Sequence, residues 1–152
     1  MITIKTVSAR TAVKGSQQEV FNAVTEWELQ NKWVLATKVR GIGSDSRCLG
    51  GKLEAFTGIG KLGFMDTMTI TGWDSPNVCE VTHTGNVVKG SGLFEISTEN
   101  GITYFTWTER TLIPFGILGK AGWLIVGPMT KLGLKYSLSR FSKMFLRHQQ
   151  FV

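Results

Sequence analysis

Residues Ile102–Phe145 read ITYFTWTERTLIPFGILGKAGWLIVGPMTKLGLKYSLSRFSKMF, and the hydrophobic period changes within them. In Ile102–Leu112 aromatic residues and threonines alternate, the period of two that marks a β-strand. Pro114 closes that strand. Further on, Leu134, Leu138, Phe141 and Phe145 fall at i, i+4, i+7 and i+11, an apolar stripe of helical period. Met129, Leu132 and Tyr136 form a second stripe on another face of the same helix. Pro128 is expected at a helix start or at a kink.

Upstream, Ile2–Val13 alternates and is rich in β-branched residues, so it reads as a strand. Gly15-Ser16 breaks the pattern, and Glu19 follows Ser16 at the spacing of a capping box. Val20, Phe21 and Val24 then fall at helical spacing, which predicts a short helix over Gln17–Thr25. Trp27–Val34 predicts a second, anchored by Trp27 and Trp33. From Thr37 to Leu112 short strands recur: Thr37–Ile42, Lys52–Thr57, Phe64–Trp73, Val78–Thr84, Val87–Ser97 and Ile102–Leu112. Gly58, Gly60 and Gly63 are read as a flexible connection. Asp74-Ser75-Pro76-Asn77 and Asn100-Gly101 are strong turn signals. Such spacing argues an antiparallel meander. Its apolar face must be covered, and the long helix is the only element large enough to do so.

The chain has 152 residues, a length that suits one domain, here expected to span 1–152. Its 42% hydrophobic and 18% charged residues argue against disorder. The formal net charge is +6. Glu109 is the last acid, and Lys120, Lys131, Lys135, Arg140, Lys143 and Arg147 follow it, so the whole excess lies in the C-terminal quarter. Cys48 and Cys79 make no disulfide scaffold and fit no metal spacing. They read as reduced thiols, which suits the cytoplasm. MITIKTVSAR lacks the apolar run of a signal peptide, and the apolar stretch Ala121–Thr130 is too short to span a bilayer.

The order of elements matches the helix-grip fold: α+β, with a curved antiparallel sheet of about seven strands wrapped round a long C-terminal helix, and two short helices after the first strand. The sequence resembles the polyketide cyclase/dehydrase and lipid-transport branch of the SRPBCC superfamily, which is related to START-type lipid-transfer domains. Val13–Val34 looks like that family's strand-to-helix entry. TITGWDSPN (Thr69–Asn77) looks like its strand ending in an aromatic-Asp-x-Pro turn. GITYFTWTE (Gly101–Glu109) looks like its Thr-Trp-Thr-Glu strand, and the basic tail looks like its closing helix. The resemblance implies an apolar cavity between sheet and helix. Members bind lipids, polyketides, sterols or quinones, and only some are catalytic, so the fold does not settle the function.

No nucleophile motif is present. Gly58-x-Gly60-x-x-Gly63 formally matches a dinucleotide fingerprint, but it joins predicted antiparallel strands and opens no helix. No cofactor and no metal are expected. Glu109 shares a face with Thr103, Phe105, Trp107 and Thr111. If that face lines the cavity, Glu109 is a candidate acid or base, because desolvation raises a carboxylate pKa. Otherwise it reaches solvent or pairs with a Lys or Arg. Asp66 shares a face with Phe64, Met68 and Ile70 and is a second candidate. His83, alternating with Cys79 and Val81, is a third, against a structural role. His148 is expected in solvent. Trp33, Phe64, Met68, Phe94, Phe105, Trp107, Trp123 and Met129 are the expected cavity walls, with ordinary core packing as the alternative.

Three functions compete. A carrier of a small hydrophobic, lipid- or polyketide-like molecule is the first. A cofactor-independent cyclase or dehydratase using a cavity carboxylate is the second. The third is a peripheral module whose basic helix makes weak contact with an anionic membrane surface. Nucleic acid is not expected as a partner, since the basic residues are few and little interleaved with aromatics.

Overall fold

The computed structural model describes residues 2–113 and 116–149, with side chains as far as Arg147. Pro114 and the side chain of His148 therefore lie outside the described residues. The elements are β1 (Thr3–Val13), α1 (Gln17–Val24), a 3₁₀ helix (Trp27–Lys32), β2 (Thr37–Ile42), β3 (Lys52–Ile59), β4 (Leu62–Asp74), β5 (Val78–His83), β6 (Gly90–Glu99), β7 (Ile102–Ile113) and α2 (Gly116–Gln149). Among the described residues the seven strands form one sheet in the order β1-β7-β6-β5-β4-β3-β2. Every adjacent pair is antiparallel. The fold is α+β and helix-grip, as the order of elements predicts.

The predicted cap is present. Ser16 Oγ accepts from the Glu19 amide at 3.2 Å, and Glu19 Oε2 accepts from the Ser16 amide at 2.9 Å. These two bonds satisfy donors that the start of α1 would leave unpaired. Gln30 Nε2 donates to the Val24 carbonyl at the other end of α1, at 2.9 Å. The second short helix is a 3₁₀ turn, shorter than expected, and it packs beside β2.

Two expectations change. Gly58, Gly60 and Gly63 are not a flexible connection, because Gly58 is in β3 and pairs with Gly63 in β4, leaving only a tight turn at Gly60 between them. The two backbones approach so closely that a Cβ on Gly58 would lie 2.1 Å from the Leu62 carbonyl oxygen. Gly60, at φ +61°, supplies the left-handed turn. Pro128 does not start α2, which begins at Gly116; it lies inside the helix, where of the two expectations only that of a kink still applies.

The helix has two unlike halves. Leu134, Leu138, Phe141 and Phe145 are all buried against the sheet. Phe141 joins an aromatic cluster with Trp33 and Phe105, at ring-centroid distances of 5.1 and 5.4 Å. That cluster fills one end of the space between sheet and helix. In the first half of α2, Ile117, Leu118, Leu124, Ile125 and Met129 are exposed. The interior on that side is not filled. No helix among the described residues is long and apolar enough to cross a membrane.

Candidate functional site

A cavity of ≈ 420 Å³ lies between the concave face of the sheet and the first half of α2. Its walls are mostly apolar. Val39, Leu53, Ala55, Phe64, Met68, Val81, Phe94 and Trp107 come from the strands, and Trp123, Val126 and Leu134 from α2. Trp27, Gln30 and Val34 close it from the short-helix side. The alternation of each strand decides this lining: Leu53, Ala55 and Thr57 share one face of β3, and Cys79, Val81 and His83 one face of β5.

Of the expected wall residues, Phe64, Met68, Phe94, Trp107 and Trp123 line the cavity. Trp33, Phe105 and Met129 do not. Phe105 does share the concave face, but it lies toward the filled end, where it and Trp33 are fully buried against Phe141. Met129 fails because of helix geometry. The inward residues Trp123, Val126, Thr130 and Leu134 follow helical spacing, and Met129 is turned by about 100° from its neighbour Thr130. It is 65% exposed.

Asp66, His83 and Glu109, three separate candidates from sequence, meet in this cavity. His83 Nδ1 lies 2.5 Å from Asp66 Oδ2, and His83 Nε2 lies 3.3 Å from Glu109 Oε2. Trp107 Nε1 donates to Glu109 Oε1 at 2.6 Å. The three side chains are only 11%, 6% and 18% exposed for His83, Asp66 and Glu109. With an acceptor at each ring nitrogen, the doubly protonated imidazolium is the form that donates both bonds. Burial by itself lowers the His83 pKa, but the hydrogen bond and charge of Glu109, then those of Asp66, outweigh it, and the pKa is raised.

The register explains how residues of three strands converge. Asp66 is on β4, beside the Met68–His83 pair. Glu109 is on β7, which β6 separates from β5. Across two strand spacings, about 10 Å, a side chain on β6 would stand in the way. The residue opposite Glu109 there is Gly92. A Cβ on it would lie 2.9 Å from Glu109 Oε1. Gly85 likewise lies against Asp66: its Cβ would meet Oδ1 at 2.5 Å. That oxygen is buried and has no hydrogen-bond partner among the described residues. Burial, and secondarily Glu80, pushes the Cys79 thiol up to about 12, so it is a neutral wall residue and no nucleophile. No group of His, Cys, Asp and Glu suited to a metal ion occurs among the described residues.

No family model and no curated protein matches this sequence. Solved structures do match the fold. The chain is similar to TTHA0849 from Thermus thermophilus, at TM-score 0.76 and 11% identity, covering 95% of this chain and 99% of that one. It is equally similar to SA2116 from Staphylococcus aureus, described as a protein of unknown function, at TM-score 0.76 and 13% identity over 98% of both chains. The Aha1 dimer from Colwellia psychrerythraea matches at TM-score 0.55 and 15% identity, covering 88% of this chain and 98% of that one. At such identities the likeness extends to the fold alone.

Proposed function

We propose that the protein binds a small, mainly apolar molecule, lipid- or polyketide-like, as a carrier, with the ligand's one polar end at Asp66–His83–Glu109. The observation that carries this reading is the cavity itself. Its ≈ 420 Å³ falls in the range of small-molecule sites, and its walls are mainly apolar, with Gln30 and four threonines among them and the charged groups gathered in one cluster. The resemblance to the SRPBCC superfamily agrees with it.

The cluster narrows the polar end. Among the described lining residues there is no Lys or Arg, and both N–H groups of the imidazolium are already engaged. A ligand carboxylate or phosphate would enter beside two carboxylates with no free cation to meet it. A hydroxyl or amine can donate to them. The test is a fluorescence titration that follows Trp107 and Trp123 with decanol and, in parallel, with decanoate above its pKa. Tighter binding of the alcohol, by about tenfold or more, is expected. Preference for the acid, or no saturable binding of either, overturns the reading. Native mass spectrometry of the purified protein identifies any co-purified hydrophobic molecule.

The held histidine favours one second reading. A cofactor-independent cyclase or dehydratase needs a proton donor and acceptor inside an apolar chamber, and this cluster can hold and pass a proton. In that case Glu109→Gln abolishes turnover of a polyketide-like substrate while binding survives. Unchanged turnover sinks it.

A further inference from the structure

We infer that the outer face of the first half of α2 is a docking surface for an anionic lipid bilayer. This goes beyond the ligand reading and does not depend on it. Ile117, Leu118, Leu124, Ile125, Met129 and Leu132 are all exposed, Ile117 and Leu118 by 80% or more. At 100° per residue they fall within one sector of the helix, opposite the sector of Trp123, Val126 and Thr130 that faces the cavity. This half of α2 is therefore apolar on its outer as well as its inner side, with Lys120 and Lys131 together on one edge between them. Such a helix is normally buried or in lipid, yet here its outer side meets water. Among the described residues no helix, α2 included, is long and apolar enough to cross a membrane. The geometry that remains is a helix lying in the interface plane, with its apolar side among the acyl chains.

The surroundings have the sign that an anionic surface attracts. β7 ends at Ile113 and α2 begins at Gly116, so the start of α2 lies at one end of the sheet, with the β3–β4 hairpin and the β5–β6 loop. Exposed at that end are Lys38, Lys61, Lys89 and Lys120. Its two acids, Asp66 and Glu109, both line the cavity. Of the exposed acids, Glu19, Asp74, Glu95 and Glu99 lie on elements or strand ends toward the opposite side, Asp45 lies in the β2–β3 connection at that side, and Glu26 and Glu28 lie at the start of the 3₁₀ helix. The hairpin tip adds Ile59 and Leu62, both more than 80% exposed. Lysines near an anionic leaflet add attraction that salt weakens, whereas apolar insertion persists. Because the same helix walls the cavity, docking sets the ligand chamber against the bilayer.

The experiment is vesicle flotation of the full chain, with phosphatidylcholine alone and with added phosphatidylglycerol, at low and high salt. Binding is expected to the anionic vesicles, strongest at low salt. The double substitution Leu118→Asp/Ile125→Asp changes only exposed side chains and is expected to lower partitioning about tenfold or more. Lys61→Glu/Lys120→Glu is expected to remove the preference for anionic lipid. Circular dichroism melts of both variants establish that they fold. Absence of flotation by the native chain at low salt overturns the inference, as does native-like flotation of the aspartate variant. A concentration-dependent dimer that the aspartate pair abolishes, without vesicle binding, assigns the face to a second copy and also overturns it. The decanol titration on the native chain keeps the two readings apart: saturable decanol binding by a native chain that does not float removes the membrane and leaves the cavity ligand.

Discussion

His83 is the residue on which the site turns. Its pKa is raised in the fold, so the folded chain holds that proton more tightly than the unfolded chain does. The resulting stabilisation is complete below the unfolded value of about 6.5 and is lost as pH rises through the higher folded value. His83→Gln is therefore expected to lower the melting temperature most at mildly acidic pH, with the gap to the native chain closing as pH rises. Melts across that range check it, and a gap that widens with pH contradicts it. Gly92 tests the geometry rather than the charge. Gly92→Val places a side chain where Glu109 crosses β6, so the His83–Glu109 bond should break and the His83 pKa should fall. NMR titration of the imidazole reads that shift.

Among the elements, α1 and α2 show two kinds of stabilisation. The start of α1 rests on the reciprocal Ser16–Glu19 bonds. Ser16→Ala is expected to cost about 1 kcal/mol, read as a lower urea midpoint with an unchanged slope. The second half of α2 rests on burial instead. Phe141 is fully buried among Trp33, Phe105 and Phe145, and Phe141→Ala is expected to cost about 3–5 kcal/mol by urea denaturation. The contrast lies inside one helix. Its C-terminal stripe is matched to the sheet, whereas its N-terminal half spans an unfilled chamber on one side and water on the other.

At the scale of the whole molecule, a sheet packed solidly at one end and open at the other leaves a chamber without extra elements. Ala55 is part of this, because its small side chain leaves room in the wall. Ala55→Leu should reduce the chamber and weaken decanol binding, while leaving the fold intact. Unchanged affinity would place the ligand elsewhere. Strand alternation, the capping box, the turns and the stripe from Leu134 to Phe145 made the order of elements legible in the sequence, and with it the helix-grip architecture. They did so because each is a local pattern, repeated within a few residues. The same alternation pointed to Asp66, His83 and Glu109 as inward-facing, one strand at a time. Their meeting was decided only in the tertiary structure. It depends on the register of β4 to β7 and on glycine at residue 92, where an absent side chain lets Glu109 reach across β6. The placements of Trp33, Phe105 and Met129 were decided there too. A period tells which face a side chain occupies, but where along that face the interior is filled depends on what packs against it.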